Sequence, residues 1–259
     1  MTLACKNALV ERDVAYLIFP DDVQTFPATD PAGASGPGGR VAVSTIAPAE
    51  SVLNDAVSLI KASKRPIVIA GYGAQGSMGE VIALAERLSA PVLTTFKAKG
   101  QIPDQYPLAA GVIGRSGTPV VSWFMNECDL ILVFGASFSN HTGITPKRLI
   151  IQVDSDRMTL GKFHGVTVPI WADIGVTAAL VAAQLPDGTD TADHRTELAA
   201  RWAIWREEKR RRLKNDQGKG LNSAAVFAAL SDAVPPDRII AVDVGNNTYS
   251  FGHYFESQG

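Results

Sequence analysis

Gly71, Gly73 and Gly76 stand at G-x-G-x-x-G spacing inside Arg65-Pro-Ile-Val-Ile-Ala-Gly-Tyr-Gly-Ala-Gln-Gly-Ser-Met-Gly-Glu80. Residues of that type at that spacing can hold a nucleotide diphosphate. Glycines let the backbone come close to a phosphate, and the first N–H groups of a following helix offer donors and the positive end of its dipole. The same spacing also fits a plain βα turn in which glycine only relieves crowding, so the neighbouring strands must decide. In a dinucleotide site an acid about 20 residues further on ends the second strand and holds the ribose. Here Ala90-Pro-Val-Leu-Thr-Thr-Phe96 ends in Thr94 and Thr95 before Lys97, and the acids come later, at Asp154 and Asp156 of Arg148-Leu-Ile-Ile-Gln-Val-Asp-Ser-Asp156. A Rossmann-like domain is supported and nicotinamide chemistry is not.

The elements that must position these residues follow from hydrophobic period. The apolar, β-branched run before Gly71 predicts a strand, Ser77 and Glu80 have capping-box spacing, and Ala83-Leu-Ala85 continues at helical period. A helix is predicted over 49–61, strands over 91–96, 108–114, 129–135, 148–154 and 167–173, and helices over about 118–125 and through Ala178, Leu180 and Val181. Helices alternating with continuous apolar strands predict an α/β fold, a parallel sheet covered on both faces. Several strands end in small or polar residues, namely Gly71, Thr94, Thr95, Gly111, Gly135, Asp154 and Asp173. In an open α/β sheet these would line one crevice at the C-terminal strand edge. Each also reads as an ordinary turn residue, and Asp154 as a helix cap. His141 and His164 have no metal-ligand partner at helical or turn spacing and are expected to be structural or exposed.

Outside this region the pattern changes. Residues 2–26 read as a helix, a turn and a strand Val14-Ala-Tyr-Leu-Ile-Phe19, too little to bury both faces alone, so the chain is expected to open inside a domain. Pro27 to Gly39 is dense in Gly, Pro and Ser and reads as a linker, with a domain boundary near residue 40. A helix is predicted from about Asp193 to Lys214, its basic run interleaved with acids as a solvated face. Then come a helix over 221–233, a strand Arg238-Ile-Ile-Ala-Val-Asp-Val-Gly245 and the start of another helix, a further α/β unit that is begun and not completed.

Composition removes whole classes of function. With 24 basic against 26 acidic side chains in 259 residues, a general nucleic-acid binder is not expected. Only Cys5 and Cys128 are present, in a predicted helix and at a strand entry. They read as packing residues, not a disulfide framework, which fits a reducing, cytoplasmic setting. No apolar run reaches the roughly 18 residues needed to span a bilayer, and the N-terminus lacks a basic-then-apolar signal.

The ordered segments Val14-Ala-Tyr-Leu-Ile-Phe-Pro-Asp-Asp-Val-Gln24, Pro66-Ile-Val-Ile-Ala-Gly-Tyr-Gly-Ala74, Ala90 to Gly100, Ile102-Pro-Asp104, Gly111-Val-Ile-Gly114, Cys128 to Ala136, Ile150 to Asp156 and Asp243-Val-Gly-Asn-Asn-Thr-Tyr249 resemble the thiamine-diphosphate enzymes of the pyruvate oxidase and acetolactate synthase group. The resemblance covers essentially the whole chain. It implies residues 1–28 as the end of a pyrimidine-binding domain, 29–44 as a linker, and 45–185 as a central DHS-like NAD/FAD-binding domain. Residues 186–220 would be a helical linker and 221–259 the opening of a diphosphate-binding domain, so a fragment is expected.

The same resemblance places the adenosine and diphosphate of FAD along Gly71, Gly73, Ala74, Thr94, Thr95, Phe96, Gly111, Gly114, Gly135, Ala136, Asp154, Ser155, Asp156, Asp173 and Ile174, with Asp154 or Asp156 taking the ribose hydroxyls. Gly245, Asn246 and Asn247 match the loop near the thiamine diphosphate phosphates. Flavin-binding relatives often carry an arginine soon after the Gly135-Ala136 equivalent, and Ser137-Phe-Ser-Asn-His141 has none. FAD, another ADP-containing molecule, or the fold without a ligand all stay open. For the parent protein the resemblance implies thiamine diphosphate and magnesium, a 2-oxo acid substrate such as pyruvate, decarboxylation followed by oxidation or carboligation, and a homodimer or homotetramer. No glutamate for the aminopyrimidine and no Gly-Asp-Gly metal segment has a matching position, so the chain alone is expected to be inactive, with no catalytic or metal-ligating residue of its own. The alternative is a stand-alone nucleotide-binding module.

Overall fold

The computed structural model describes residues 2–27, 38–43, 45–139, 141–215, 218, 220–235 and 237–259. It divides into two compact units, Met1–Thr45 and Ile46–Gly259. In the first, α1 (Thr2–Glu11) buries none of its residues and α2 (Asp21–Gln24) is a single turn. Cys5 is exposed on α1, a correction to its expected packing role, whereas Cys128 is buried. Val14–Phe19 is not a strand. Its β-branched pattern needs a hydrogen-bonded neighbour, and none of the described residues offers one. Most of the expected linker, residues 28–37 and 44, lies outside the described residues.

The second unit contains α3 (Glu50–Ala62), β1 (Pro66–Ala70), α4 (Met78–Leu88), β2 (Val92–Thr94), β3 (Ala109–Val112), α5 (Pro119–Glu127), β4 (Leu130–Phe134), β5 (Leu149–Asp154) and β6 (Val168–Trp171). It continues with α6 (Ile174–Gln184), α7 (Arg195–Leu213), α8 (Ser223–Ala233) and α9 (Asn246–Tyr254), and short 3₁₀ turns occur at Tyr72–Ala74 and Phe96–Ala98. The strands form one sheet in the order β3-β2-β1-β4-β5-β6. Every neighbouring pair is parallel. β1 and β4 are buried at every position, which is why they read as unbroken apolar runs. Helices α3, α4 and α6 pack together as one layer and α5 with α7 as another. The chain leaves β1 toward β2 and β4 toward β5, so strand order reverses between β1 and β4, where α/β sheets form a ligand crevice.

The expected capping box at the start of α4 does not form, since the Ser77 side chain makes no cap bond. Its amide already donates to the Ala74 carbonyl at 2.9 Å. The Ser77 and Glu80 side chains instead lie against α6, where a Cβ on Gly175 would come within 3.0 Å of Ser77 Oγ and 3.5 Å of Glu80 Cδ. At the opposite sheet edge Asp129 accepts from Ser63 Oγ at 2.5 Å and from the Lys64 and Arg65 amides at 2.7 and 3.1 Å, tying the end of α3 to the starts of β1 and β4.

α7 buries Leu198, Trp202 and Trp205. Its basic run is ion-paired: Arg210 with Glu207, Arg211 and Arg212 with Glu208, and Arg206 and Lys209 with Glu256. Trp202 Nε1 donates to the Ala109 carbonyl at 2.7 Å, and Thr118 Oγ1 donates to that of Ala110 at 3.2 Å. Arg238–Gly245 forms no strand, a second correction with the same cause as the first, and it leaves Ile239 and Val244 exposed. Beyond α9 the chain returns to the sheet unit, where the Ser257 amide donates to Asp104 Oδ2 at 2.7 Å and Lys99 pairs with the same carboxylate at 2.9 Å.

Candidate functional site

The loops leaving β1 and β4 touch through their backbones. The Gly71 amide donates to the Phe134 carbonyl at 2.8 Å, and the Gly73 amide to that of Gly135 at 2.9 Å. A Cβ on Gly71 would stand 2.6 Å from the Ala136 Cα, and Gly135 itself has φ +61°. The first two glycines of the spacing therefore serve a chain-to-chain crossing, while Gly76, with φ +87° and open space around it, serves a left-handed turn.

Above this crossing lies a cleft of about 550 Å³. Of the residues expected at a ligand, Gly73, Thr95, Phe96, Gly135, Ala136, Asp154 and Gly245 line it. The others do not. Gly71 lies behind Gly135, Ala74 and Ile174 are core, and Thr94 is buried within β2. Gly111, at φ +93°, sits where the β2–β3 register shifts, and its missing Cβ leaves room for the Trp202 ring. Gly114 packs on the His141 carbonyl. The Ser155 carbonyl accepts from Trp171 Nε1 at 2.9 Å, Asp156 caps the turn that follows by accepting from the Met158 amide at 2.9 Å, and Asp173 caps α6 by accepting from Val176 at 3.0 Å. Asn246 opens α9, and Asn247 lines an adjoining cleft of about 430 Å³ that shares Val244 and Gly245 with the main one.

The cleft also holds residues that sequence reasoning passed over: Tyr72, Lys97, Arg115 and His141. Arg115 stands in the Gly114-Arg-Ser-Gly117 turn, whose paired glycines are its signal in the sequence, and its amide donates to the His141 carbonyl at 3.1 Å. His141, set aside earlier as structural or exposed, is exposed at the cleft wall, while His164 stacks on Phe138 with centroids 4.8 Å apart. A second cleft of about 460 Å³ shares the Tyr72, Phe96 and Lys97 wall.

Electrostatically the cleft is two-ended. Asp154, at the tip of β5, is nine-tenths buried, and burial pushes its carboxyl above the ordinary range even though Oδ1 accepts from the Asp156 amide at 2.9 Å. Lys97 and Arg115 are exposed and form no ion pair among the described residues. The described residues contain no group of three or more His, Cys, Asp or Glu that could hold a metal ion. No helix among them is long and apolar enough to cross a membrane.

The strongest ionic cluster lies away from the cleft. Glu197 accepts from Trp123 Nε1 at 2.7 Å and from Arg65 at 2.8 Å, and its Oε2 lies 3.2 Å from His194 Nδ1. Burial opposes its charge, but these donors outweigh burial and hold its carboxyl at about 2. His194 is pushed down by its own burial. With Glu197 ionised, Nδ1 is the protonated nitrogen, and Nε2 is buried without a partner.

Comparison with known proteins identifies the family of the domain that carries this cleft. Bacillus subtilis YdaP aligns with 98% of this chain at 28% identity, the alignment taking in 43% of YdaP. A protein named probable acetolactate synthase large subunit, from Methanocaldococcus jannaschii, is 30% identical over 80% of this chain and 36% of its own length. The pyruvate oxidase of Lactiplantibacillus plantarum is 27% identical over 71% of this chain and 31% of its own length. The chain thus spans between about a third and two-fifths of each of these relatives. The family described as thiamine pyrophosphate enzyme, central domain, matches residues 53–182, from within α3 to within α6 and so across all six strands. By that match over half of its length, the chain belongs to the thiamine pyrophosphate enzyme family and carries its central domain.

Proposed function

We propose that this chain is part of a thiamine-diphosphate-dependent enzyme acting on a 2-oxo acid such as pyruvate, by decarboxylation followed by oxidation or carboligation, and that its central domain binds FAD or another adenine nucleotide. The relatives named acetolactate synthase and pyruvate oxidase support the first part. The observation that carries the second is the β1/β4 cleft, which has the size of a nucleotide site and places buried Asp154 at a strand tip, where a carboxylate can accept from ribose hydroxyls. The adjoining cleft along Tyr72 and Phe96 gives a dinucleotide room to extend.

Magnesium-held thiamine diphosphate finds less here. Gly245 borders the main cleft, but Gly-Asp-Gly does not occur in the sequence. Residues 1–259 alone are accordingly expected not to turn over pyruvate. The domain map proposed is 1–28, 29–44, 45–185, 186–220 and 221–259, in a protein assembling as a homodimer or homotetramer.

Thermal unfolding of the purified chain with FAD, ADP or NAD tests the nucleotide reading. A ligand held only by the folded form stabilises it by about 2.7 kcal/mol at one hundred times its Kd, so FAD or ADP should raise the midpoint. A midpoint moved by neither of them, or by NAD alone, overturns the reading.

A further inference from the structure

We infer that Lys97 and Arg115 are the anion-holding residues of the β1/β4 cleft, gripping a diphosphate, so that the ligand class the cleft selects is a nucleoside diphosphate or larger and not a nucleoside. This rests on the nucleotide reading above and adds to it the residues that read the phosphate. The glycine spacing that suggested a phosphate cradle is otherwise engaged, because the space left by Gly71 and Gly73 is taken by the backbone of Gly135 and Ala136. With the Gly71 and Gly73 amides already bonded to Phe134 and Gly135, side chains of the cleft are the groups placed to meet the negative charge of a diphosphate. Two cations line the cleft, Lys97 from the 3₁₀ turn after β2 and Arg115 from the turn after β3.

Neither cation is neutralised by the protein among the described residues. The contrast with α7 is direct, since Arg206, Lys209, Arg210, Arg211 and Arg212 all have carboxylate partners. Arg115 is also held from behind. Its amide bonds to His141, and Gly117 packs on the Val112 carbonyl where a Cβ could not fit, so the turn that presents the guanidinium is fixed before any ligand arrives. A planar guanidinium grips a phosphate through two hydrogen bonds, and a lysine adds a point charge. The single carboxylate of the cleft, Asp154, repels phosphate and accepts hydroxyls, which sets the direction of the ligand: sugar toward β5, phosphates toward β2 and β3.

The test is calorimetric titration of the chain with ADP, AMP, adenosine and inorganic pyrophosphate, using the unsubstituted protein, Lys97→Gln and Arg115→Gln. Both side chains are exposed, so both variants should fold, and unchanged far-ultraviolet circular dichroism checks this. Expected are affinity in the order ADP, AMP, adenosine, measurable pyrophosphate binding that weakens with salt, and a loss of at least tenfold in ADP and pyrophosphate affinity in each variant, about 1.4 kcal/mol, with adenosine unaffected. ADP bound equally well by all three proteins overturns the assignment of Lys97 and Arg115 and leaves the nucleotide reading standing. Pyrophosphate bound through these residues without ADP binding supports the anion site and removes the nucleotide reading. Binding of neither removes both.

Discussion

The Gly73 amide donates to the Gly135 carbonyl at 2.9 Å, and a Cβ on Gly73 would stand 2.9 Å from the Gly135 Cα. The floor of the cleft is thus two glycine-bearing loops pressed together, and its shape depends on the absence of side chains there.

Gly71→Ala should therefore destabilise the chain, by about 1–3 kcal/mol, because the added methyl meets backbone that cannot swing aside. Gly79→Ala, at an exposed helical site with open space, should stabilise by about 0.5 kcal/mol. Urea midpoints that move the same way for both would contradict this account.

Asp154→Asn should raise the melting temperature of the ligand-free chain at neutral pH and abolish nucleotide binding. Burial lifts the folded-state pKa of Asp154, so its contribution is fully present below the unfolded carboxylate value and is lost as pH rises through the folded one. The amide keeps an oxygen for the Asp156 amide and removes the buried charge. The gain over the unsubstituted protein should fade as the medium is acidified below pH ~4.

Glu197 acts in the opposite sense. Held at about 2 in the folded chain, it contributes stability above its unfolded value, and this is lost as pH falls from ~4.5 toward the folded value. His194, lowered by burial, begins to lose stability already as pH drops below ~6.5. Glu197→Gln should flatten the acid limb of the stability curve and cost about 1.5–3 kcal/mol at pH 7, the worth of hydrogen bonds to a charged group. An unchanged acid limb in the variant would remove Glu197 from this role.

Asp104→Ala should release the end of the chain without melting the sheet. Both side chains of the Lys99–Asp104 pair are only 6% exposed, and losing the carboxylate leaves Lys99 uncompensated and the Ser257 amide without its acceptor. Hydrogen exchange should accelerate at Ser257 and stay slow at Ile69 and Leu132.

Much of this architecture was legible in the residues. Pro66–Ala70 and Leu130–Phe134 read as buried strands because a sheet covered on both faces leaves no polar positions, and α3 and α4 follow apolar period. Period says nothing about partners, however, so Val14–Phe19 and Arg238–Gly245 have strand composition and no strand. The glycines illustrate a second limit. A missing Cβ is equally necessary for close approach by a phosphate or by another stretch of backbone, and only the crossing of β1 and β4 loops distinguishes them. Arg115 and Lys97 were illegible for a related reason, since they come from separate turns after different strands and converge only once β3, β2 and β1 lie side by side.

The capping of β3 by side chains has a consequence for the protein in crowded solution. β3 is one of the two outer strands of the sheet, and Trp202 and Thr118 occupy the Ala109 and Ala110 carbonyls there. Those are acceptors an incoming extended peptide would need to extend the ladder. These two acceptors are thus already taken within the protein, and a Trp202→Phe variant that kept the fold would leave the buried Ala109 carbonyl without its donor, at a cost of about 1–3 kcal/mol.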